Sequence, residues 1–456
     1  MQFIEQAIIA AIELAQRQDR VRPIYIAHSG GVDSQVLLYA CAKLKNKGLI
    51  KQPLVACHIH HGLSQFADDW QRFCQNQASK LSVDFITENV ELSINPQQST
   101  EAVAREARYL AFQRLMPAHG LMLTGHHLDD QAETMLLALK RGAGVAGLAC
   151  MNASTVLFHR QVIRPMLSVT REQIEHYAAE HDIEHIEDDS NVDEQFDRNF
   201  IRHQIMPLLQ ARWPSIGKTI ARTAQNCQQS QVLLEQIAQE DLTKARTSNN
   251  SLNLAQLNQL TSERLNNLLR YVLMQEYAVT PSVAQLTEIK QQMVAANDKT
   301  PAVNISGITV RRFQQALYFT PEFNDVNQWL WQVNAPIIEG TQIDLPDGIG
   351  QLQFDGDDHG SMLAYQLRAP EPGQQVSVRF SHNNPTCLPE YRNHSKALKK
   401  ILQELKIAPW LRKRIPFIYY DDELVAALGH FVCKDFTPTP SSTNFTLYYS
   451  FEQDSR

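Results

Sequence analysis

The sequence predicts an α/β fold: a parallel sheet with helices on both faces, followed by a helical domain and a small α+β domain. Three observations carry this expectation. Short apolar runs alternate with longer helical segments through the first ~200 residues, the pattern of right-handed βαβ units. Two of those runs end in polar, Gly-containing loops that open straight into a helix. After Trp213-Pro214 the strand signals fade, and short β segments return only from about residue 302.

The elements follow in order. Residues 1–20, MQFIEQAIIAAIELAQRQDR, carry Glu5 and Glu13 within the apolar stretch, so they read as an amphipathic helix and not as a signal peptide. Ile24-Tyr25-Ile26-Ala27 is a strand, and Val36, Leu37, Leu38, Ala40 and Cys41 belong to a helix apolar on most sides, as packing on a sheet requires. Leu54–Ile59 is a second strand. Phe66, Trp70, Phe73, Cys74 and Leu81 keep helical spacing, and Val83–Ile86 is a third strand. Residues 99–116 and 129–140 read as helices flanking a fourth strand, Leu121–Gly125. Residues 216–300 are rich in Gln, Leu, Ala and Asn and read as helical. Val303–Ile305, Ile308–Val310 and Ala316–Phe319 are short β segments, and Gly, Pro and Asp crowd residues 340–385 as β-turns do. The expected division is 1–215, 216–330 and 331–456.

Composition narrows the class. Apolar residues at 43% and charged residues at 20% fit a globular protein with real cores. The net charge of −7 does not advertise a nucleic-acid binder, although local patches decide that. The seven cysteines are odd in number and widely spaced, with no Cys-x-x-Cys pair. This argues for a reducing compartment and against a disulfide framework or a cysteine-held cluster. No apolar run approaches the ~18 residues needed to span a bilayer, so the chain is expected in the cytoplasm.

Ser29-Gly30-Gly31-Val32-Asp33-Ser34 lies between a strand and a helix. Glycines let backbone N–H groups approach phosphate oxygens, and the helix N-terminus adds positive potential. The serines add donors, and Asp33 can hold Mg²⁺ between phosphates. A capped Gly-Gly turn would look the same in isolation; the strand–loop–helix context favours phosphate. No Gly-Lys-Ser/Thr follows, so this is not a Walker A loop. His58, His60 and His61 mark the second strand tip, which should face a nucleotide at the carboxyl edge of the sheet. Gly125-His126-His127-Leu128-Asp129-Asp130-Gln131-Ala132-Glu133-Thr134 is the second strong signal. Helix capping explains one of its acids but not all three with two histidines. Its carboxylates suit holding Mg²⁺ or binding a cationic amine. Glu101, Arg105 and Arg108 fall on adjacent helical turns, and Arg198 and Arg202 share a face four residues apart. Each arginine pair reads either as solvated surface or as a phosphate contact.

Together these blocks resemble the tRNA(Ile)-lysidine synthetases of the PP-loop ATP pyrophosphatase superfamily. The resemblance rests on SGGVDS (29–34), HIHHGL (58–63), EAVAREARY (101–109), GHHLDDQAET (125–134), RGAGVAGL (141–148), RPML (164–167), DDSNVDEQFDRNFIR (188–202) and LKKILQELKIAPWLRKRIPFIYYDDELVAALGHFV (398–432). It covers nearly the whole chain and is weakest over 215–390. It implies a Rossmann-like PP-loop domain followed by two tRNA-binding domains. The implied reaction adenylates O2 of the wobble cytidine of a tRNA(Ile) with a CAU anticodon, using ATP and Mg²⁺. The ε-amine of L-lysine then displaces AMP at C2, so the tRNA reads AUA instead of AUG. The resemblance implies that the 29–34 loop and His58 bind ATP. His126, Asp130 and Glu133 would line the lysine pocket, and Arg198 would sit by the reacting base and phosphate. Asp33, Asp130 and Arg198 would be catalytic. Asp33 and Asp129 are the candidate Mg²⁺ ligands, and Arg105, Arg108 and Arg202 the nearby tRNA contacts. A homodimer is compatible with this reading, but the sequence does not give the oligomeric state.

Between Arg392 and Arg414 stand eight Lys or Arg residues and one acid, Glu404, a local +7 on a chain of −7. In an RNA enzyme, with Tyr391 and Trp410 nearby, this run reads as a tRNA-backbone contact through Lys399, Lys400, Arg412, Lys413 and Arg414. Two other readings compete. A PP-loop tRNA thiolase would need sulfur-carrying or cluster-binding cysteines, and a non-catalytic nucleotide-binding regulator would not need the acids at 129–133.

Overall fold

A computed structural model describes residues 2–16, 22–60, 62, 66–90, 100–117, 120–157, 160–187, 193–294, 302–354, 362–440 and 442–451, with side chains left undescribed at 100–106 and 109. The chain divides into two compact units, Met1–Leu234 and Glu235–Arg456.

The first unit runs α1 (Phe3–Gln16), β1 (Ile24–Ala27), α2 (Val32–Asn46), β2 (Leu54–His60), α3 (Ala67–Lys80), β3 (Asp84–Asn89), α4 (Thr100–Leu115), β4 (Leu121–Leu123) and α5 (Leu128–Lys140). It continues through α6 (Val145–Leu148), β5 (Ser154–Leu157), β6 (Arg160–Ile163), α7 (Arg171–Glu180), α8 (Asp197–Phe200), α9 (Met206–Arg212) and into α10 (Ile216–Ala245). The sheet order is β3-β2-β1-β4-β6-β5, parallel except for the antiparallel edge strand β5. The β5–β6 hairpin and α7 extend what the sequence reading gave.

Strand alternation sorts the core into two layers. Ile24, Ile26, Leu54, Ala56, Leu121 and Leu123 pack with the buried sides of α1, α2 and α7. Tyr25, Val55, Cys57 and Met122 pack on the other side with Ala111, Phe112 and Met116 at the end of α4. The acid inside the apolar N-terminal helix now has a reason. Glu5 is buried, lies 2.9 Å from Lys43 Nζ and 3.5 Å from Lys47 Nζ, and accepts a hydrogen bond from the Tyr177 hydroxyl at 3.2 Å. It joins α1, α2 and α7.

The topology places two loops side by side. From β1 the chain moves outward to β2 and β3, then crosses back to lay β4 on the other flank of β1. The loops after β1 and β4 therefore meet at the carboxyl edge where strand order reverses, the place where such sheets bind ligands. Their backbones touch. A Cβ on Gly125 would lie 3.1 Å from the carbonyl carbon of Asp33 and 3.2 Å from Ser34 N. Gly30 has φ +90°, a conformation suited to glycine, and a Cβ there would fall 2.7 Å from Ile186.

In the second unit, α11 (Leu254–Leu257), α12 (Ser262–Tyr277) and α13 (Val283–Met293) share a core with a four-stranded sheet of order β7-β10-β9-β8. These strands are Leu252–Asn253 (β7), Ala302–Ile305 (β8), Ile308–Phe313 (β9) and Ala316–Pro321 (β10). The middle region is thus helical with a small sheet attached, and β7 was hidden within the helical stretch. The rest is mostly β. A five-stranded and a four-stranded antiparallel sheet share one core with the helix Leu398–Glu404.

Glu5→Gln should destabilise the protein by about 1–3 kcal/mol at pH 7, the usual range for breaking a buried hydrogen-bonded contact. Although burial opposes ionisation, Lys43, Lys47 and Tyr177 hold the Glu5 carboxyl below its ordinary value of 4.5. Its contribution is therefore full above that value and is lost as pH falls through the lowered one. Denaturation midpoints of the two proteins should converge in acid; a gap that persists or widens there would contradict this assignment.

Candidate active site

The loop after β1 is self-organised. The Ser34 hydroxyl donates to the Gly31 carbonyl at 2.9 Å and accepts from Ser29 N–H at 3.2 Å, and the two serine hydroxyls lie 3.2 Å apart. Ser34 is buried and Ser29 exposed. Beneath the loop, buried His58 bonds through Nδ1 to the His28 carbonyl at 2.9 Å. Burial and neighbouring His58 push His28 down to about 3, so it is neutral at physiological pH. His60 lies 3.0 Å from Asp68. The site face of β2 thus supports the loop through a neutral histidine pair.

The loop after β4 caps α5. His127 accepts from Asp129 N–H at 3.3 Å, and the Asp130 carboxylate accepts from His127 N–H at 3.0 Å. This capping box aims the acids inward. His127 is buried, with its Nε2 3.6 Å from Asp33 and 3.5 Å from Asp130 and its Nδ1 3.7 Å from Asp129. Burial opposes its protonation, but the carboxylates of Asp129, Asp130 and Asp33 outweigh it and raise its pKa. Gln131, by contrast, serves the scaffold. Its amide clamps Met151, donating to the carbonyl at 2.8 Å and accepting from the N–H at 2.9 Å, which fixes the segment after the Gly-rich loop.

The acids meet a set of arginines. Buried Glu133 accepts from Arg202 Nε at 2.6 Å and Nη2 at 3.0 Å, and lies 3.0 Å from Arg198 Nε. Arg198 also donates to Thr134 Oγ1 at 3.0 Å, and Arg202 approaches Asp130 to 3.6 Å. A π-helical turn over Ile201–Ile205 carries Arg202 to this position; such turns recur at functional sites. Arg171, at the start of α7, donates to both Asp33 oxygens at 3.1 and 2.9 Å. Burial raises the pKa of Asp33 and of Glu133 despite these partners. Asp129 and Asp130 are held low, against burial, by His127 and their other partners. Three carboxylates thus meet three guanidiniums, and a fourth, Asp129, meets His127 and the Arg171 backbone N–H. With His127 neutral one negative charge is left over, enough for one ammonium or part of a metal's charge.

Several expected residues therefore meet at one place: Asp33, Asp129, Asp130, Glu133, Arg198 and Arg202. His126 stands at the same turn, its Nδ1 2.8 Å from Thr124 Oγ1. His127 and Arg171 are the additions. His127 was legible as part of the motif, whereas Arg171 carries no local signal. Asp33 and Asp129, the candidate Mg²⁺ ligands, both bind Arg171, Asp129 through the backbone N–H at 2.8 Å. Among the described residues no three His, Cys, Asp or Glu side chains gather as a metal cage. Two carboxylates do fit Mg²⁺, which is usually shared with phosphate oxygens and water. His61, Asp189, Ser190 and Asn191 lie outside the described residues, as do the side chains of Glu101 and Arg105; Arg108 is exposed.

The basic C-terminal stretch needs one correction. Lys399, Lys400 and Lys413 are exposed and Arg412 half-buried, but Arg414 is buried, ion-paired with Asp347 and bonded to its carbonyl. Its guanidinium belongs to the fold and does not face RNA. Trp410 is likewise buried, against Phe313 and Tyr318, whereas Tyr391 is exposed. All seven cysteines are free thiols, and no helix among the described residues is long and apolar enough to cross a membrane.

Comparison with known proteins agrees with this architecture. A family model described as a PP-loop domain matches residues 4–209, one described as the TilS substrate binding domain matches 252–318, and one described as the TilS substrate C-terminal domain matches 376–449. The tRNA(Ile)-lysidine synthase of Edwardsiella ictaluri is 37% identical over 440 residues, covering 96% of this chain and 97% of the relative. That of Serratia proteamaculans is 39% identical over 426 residues, covering 92% and 94%. That of Coxiella burnetii is 36% identical over 415 residues, covering 90% and 89%. By sequence along nearly its whole length, the chain belongs to the tRNA(Ile)-lysidine synthase family.

Proposed function

We propose that this chain joins L-lysine to C2 of the wobble cytidine of a tRNA(Ile) with a CAU anticodon, consuming ATP. The observation that carries the reading is the cluster at the β1/β4 edge, where a phosphate-type loop and an excess of carboxylate meet. Cytidine O2 attacks the α-phosphorus and pyrophosphate leaves. The lysine ε-nitrogen then attacks C2, and AMP departs with O2. The AMP, pyrophosphate and one proton released balance the ATP and lysine consumed.

In this reading the 29–34 loop and His58 form the ATP site, and Asp33 and Asp129 would hold Mg²⁺, which supplies charge neutralisation between phosphates. His126, Asp130 and Glu133 form the lysine pocket. The amine must lose a proton to attack, since free lysine titrates near ~10.4. Glu133, whose carboxyl burial raises, is the better-matched acceptor, and Asp130, held low, keeps its charge to position the ammonium. Arg198, fixed between Thr134 and Glu133, stands beside the reacting base and phosphate. The wobble base reaches the site because a single-stranded loop unstacks at low cost. Arg105, Arg108 and Arg202 would guide the anticodon stem. Residues 1–215 form the catalytic part, 216–330 and 331–456 the tRNA-binding parts, an arrangement that the three family matches support. The expected compartment is the cytoplasm, where charged pools of ATP, lysine and tRNA meet.

Pyrophosphate release, measured with purified tRNAs and each amino acid in turn, tests the reading. Full turnover should require both tRNA(Ile, CAU) and lysine, and Asp130→Ala should lose lysine use while still binding ATP. Release with lysine but no tRNA would point to amino-acid activation instead. For the C-terminal contact, replacing Lys399, Lys400 and Lys413 with Gln should weaken tRNA binding and flatten its dependence on salt by about 0.7–0.9 in log–log slope per lost phosphate contact. An unchanged slope would place the RNA elsewhere.

A further inference from the structure

Arg171 joins the two loops from a third element. Its backbone N–H donates to Asp129 Oδ2 at 2.8 Å, its Nη1 donates to both oxygens of Asp33, and its Nε donates to Glu175 Oε1 at 2.7 Å. Thr170 caps α7 with a reciprocal Thr170–Gln173 pair, so the first residue of the helix is held firmly at the backbone. The side chain is different. It is 42% exposed and its Asp33 partner 28% exposed, so the pair is open to water and exchangeable.

A guanidinium fork matches a carboxylate and a phosphate equally well. Arg171 satisfies Asp33, the acid of the loop that the proposed function assigns to ATP. Asp33 is also the carboxylate that would hold Mg²⁺ with ATP, so the metal and Arg171 would compete for it. The displaced guanidinium remains tethered through Glu175 and through its own backbone, beside a loop whose occupant carries several negative charges. We propose that Arg171 is a nucleotide-binding residue that exchanges the Asp33 carboxylate for the β- and γ-phosphates of ATP and holds pyrophosphate as it leaves. Until then it occupies Asp33 and keeps two carboxylate-bearing loops from repelling each other. Phosphate is favoured over the lysine carboxylate because Nη1 of the guanidinium is bonded to the phosphate-loop acid and not to Asp130 or Glu133.

The inference rests on the reading of the 29–34 loop as the ATP site, and the test separates the two. Mg·ATP, the uncleavable Mg·α,β-methylene-ATP and AMP are titrated by calorimetry into the full-length chain and into its R171Q and R171K variants, without tRNA. R171Q should bind both triphosphates about tenfold more weakly or worse, the loss of one charge-assisted contact, and AMP unchanged. R171K should recover part of the loss, because it keeps the charge without the fork, and in separate turnover assays with tRNA at saturating ATP the KM for lysine should not move in either variant. Triphosphate binding by R171Q as tight as or tighter than that of the unaltered chain would overturn the inference, since the guanidinium would then only stand in for a cation. Equal losses for ATP and AMP, or a rise confined to the KM for lysine, would overturn it too. Should R171Q fail to fold, R171K decides: undiminished affinity for the triphosphates overturns the proposal. Absence of ATP binding by the unaltered chain would instead remove the ATP-site reading itself.

Discussion

A side chain on residue 125 would lie 3.1 Å from the carbonyl carbon of Asp33, so glycine at that position lets the two functional loops touch without either backbone giving way. The contact follows from the strand order. With β4 laid directly against β1, the loops leave adjacent strands at the same edge, and nothing separates their backbones. That closeness brings Asp33 of one loop to within 3.6 Å of His127 of the other. Every later feature of the site, from the carboxylate cluster to the arginines drawn to it, inherits this spacing.

Packing four carboxylates at one sheet edge is costly unless cations accompany them. The protein draws those cations from three separate places: Arg171 from α7, Arg198 from α8 and Arg202 from the π-helical turn after it. His127 sits inside the acids as an adjustable charge, its pKa raised by them against burial. With His127 neutral the arrangement stops one charge short of neutrality, which would favour an added cation. It also spreads the carboxyls apart in acidity, with Asp130 low and Glu133 high. Such a split lets one acid hold charge while another accepts a proton.

What the sequence revealed and what it hid divide along contact range. The strand–loop–helix motifs at 29–34 and 125–134 were legible because backbone, cap and functional acids are contiguous. The parallel sheet was legible for the same reason, each strand announcing its following helix. Strand β5 was missed because its exposed, alternating residues do not resemble a buried parallel strand. Arg171 was missed because its partner lies 138 residues away, and no local pattern marks it. Gln131 stands inside the second motif but serves the scaffold, its amide clamping Met151 20 residues on. Arg414 was read with its neighbours as a tRNA contact because it sits in a basic run; its burial depends on Asp347, far upstream.

The central claim is that the two loops divide the chemistry, one making an adenylate on the tRNA and the other delivering the amine to it. Incubation with ATP labelled at the α-phosphate and tRNA(Ile, CAU), with lysine withheld, isolates the first half. The account predicts label accumulating on the tRNA and discharged as AMP when lysine is added. Label that appears on lysine, or never reaches the tRNA, would contradict it.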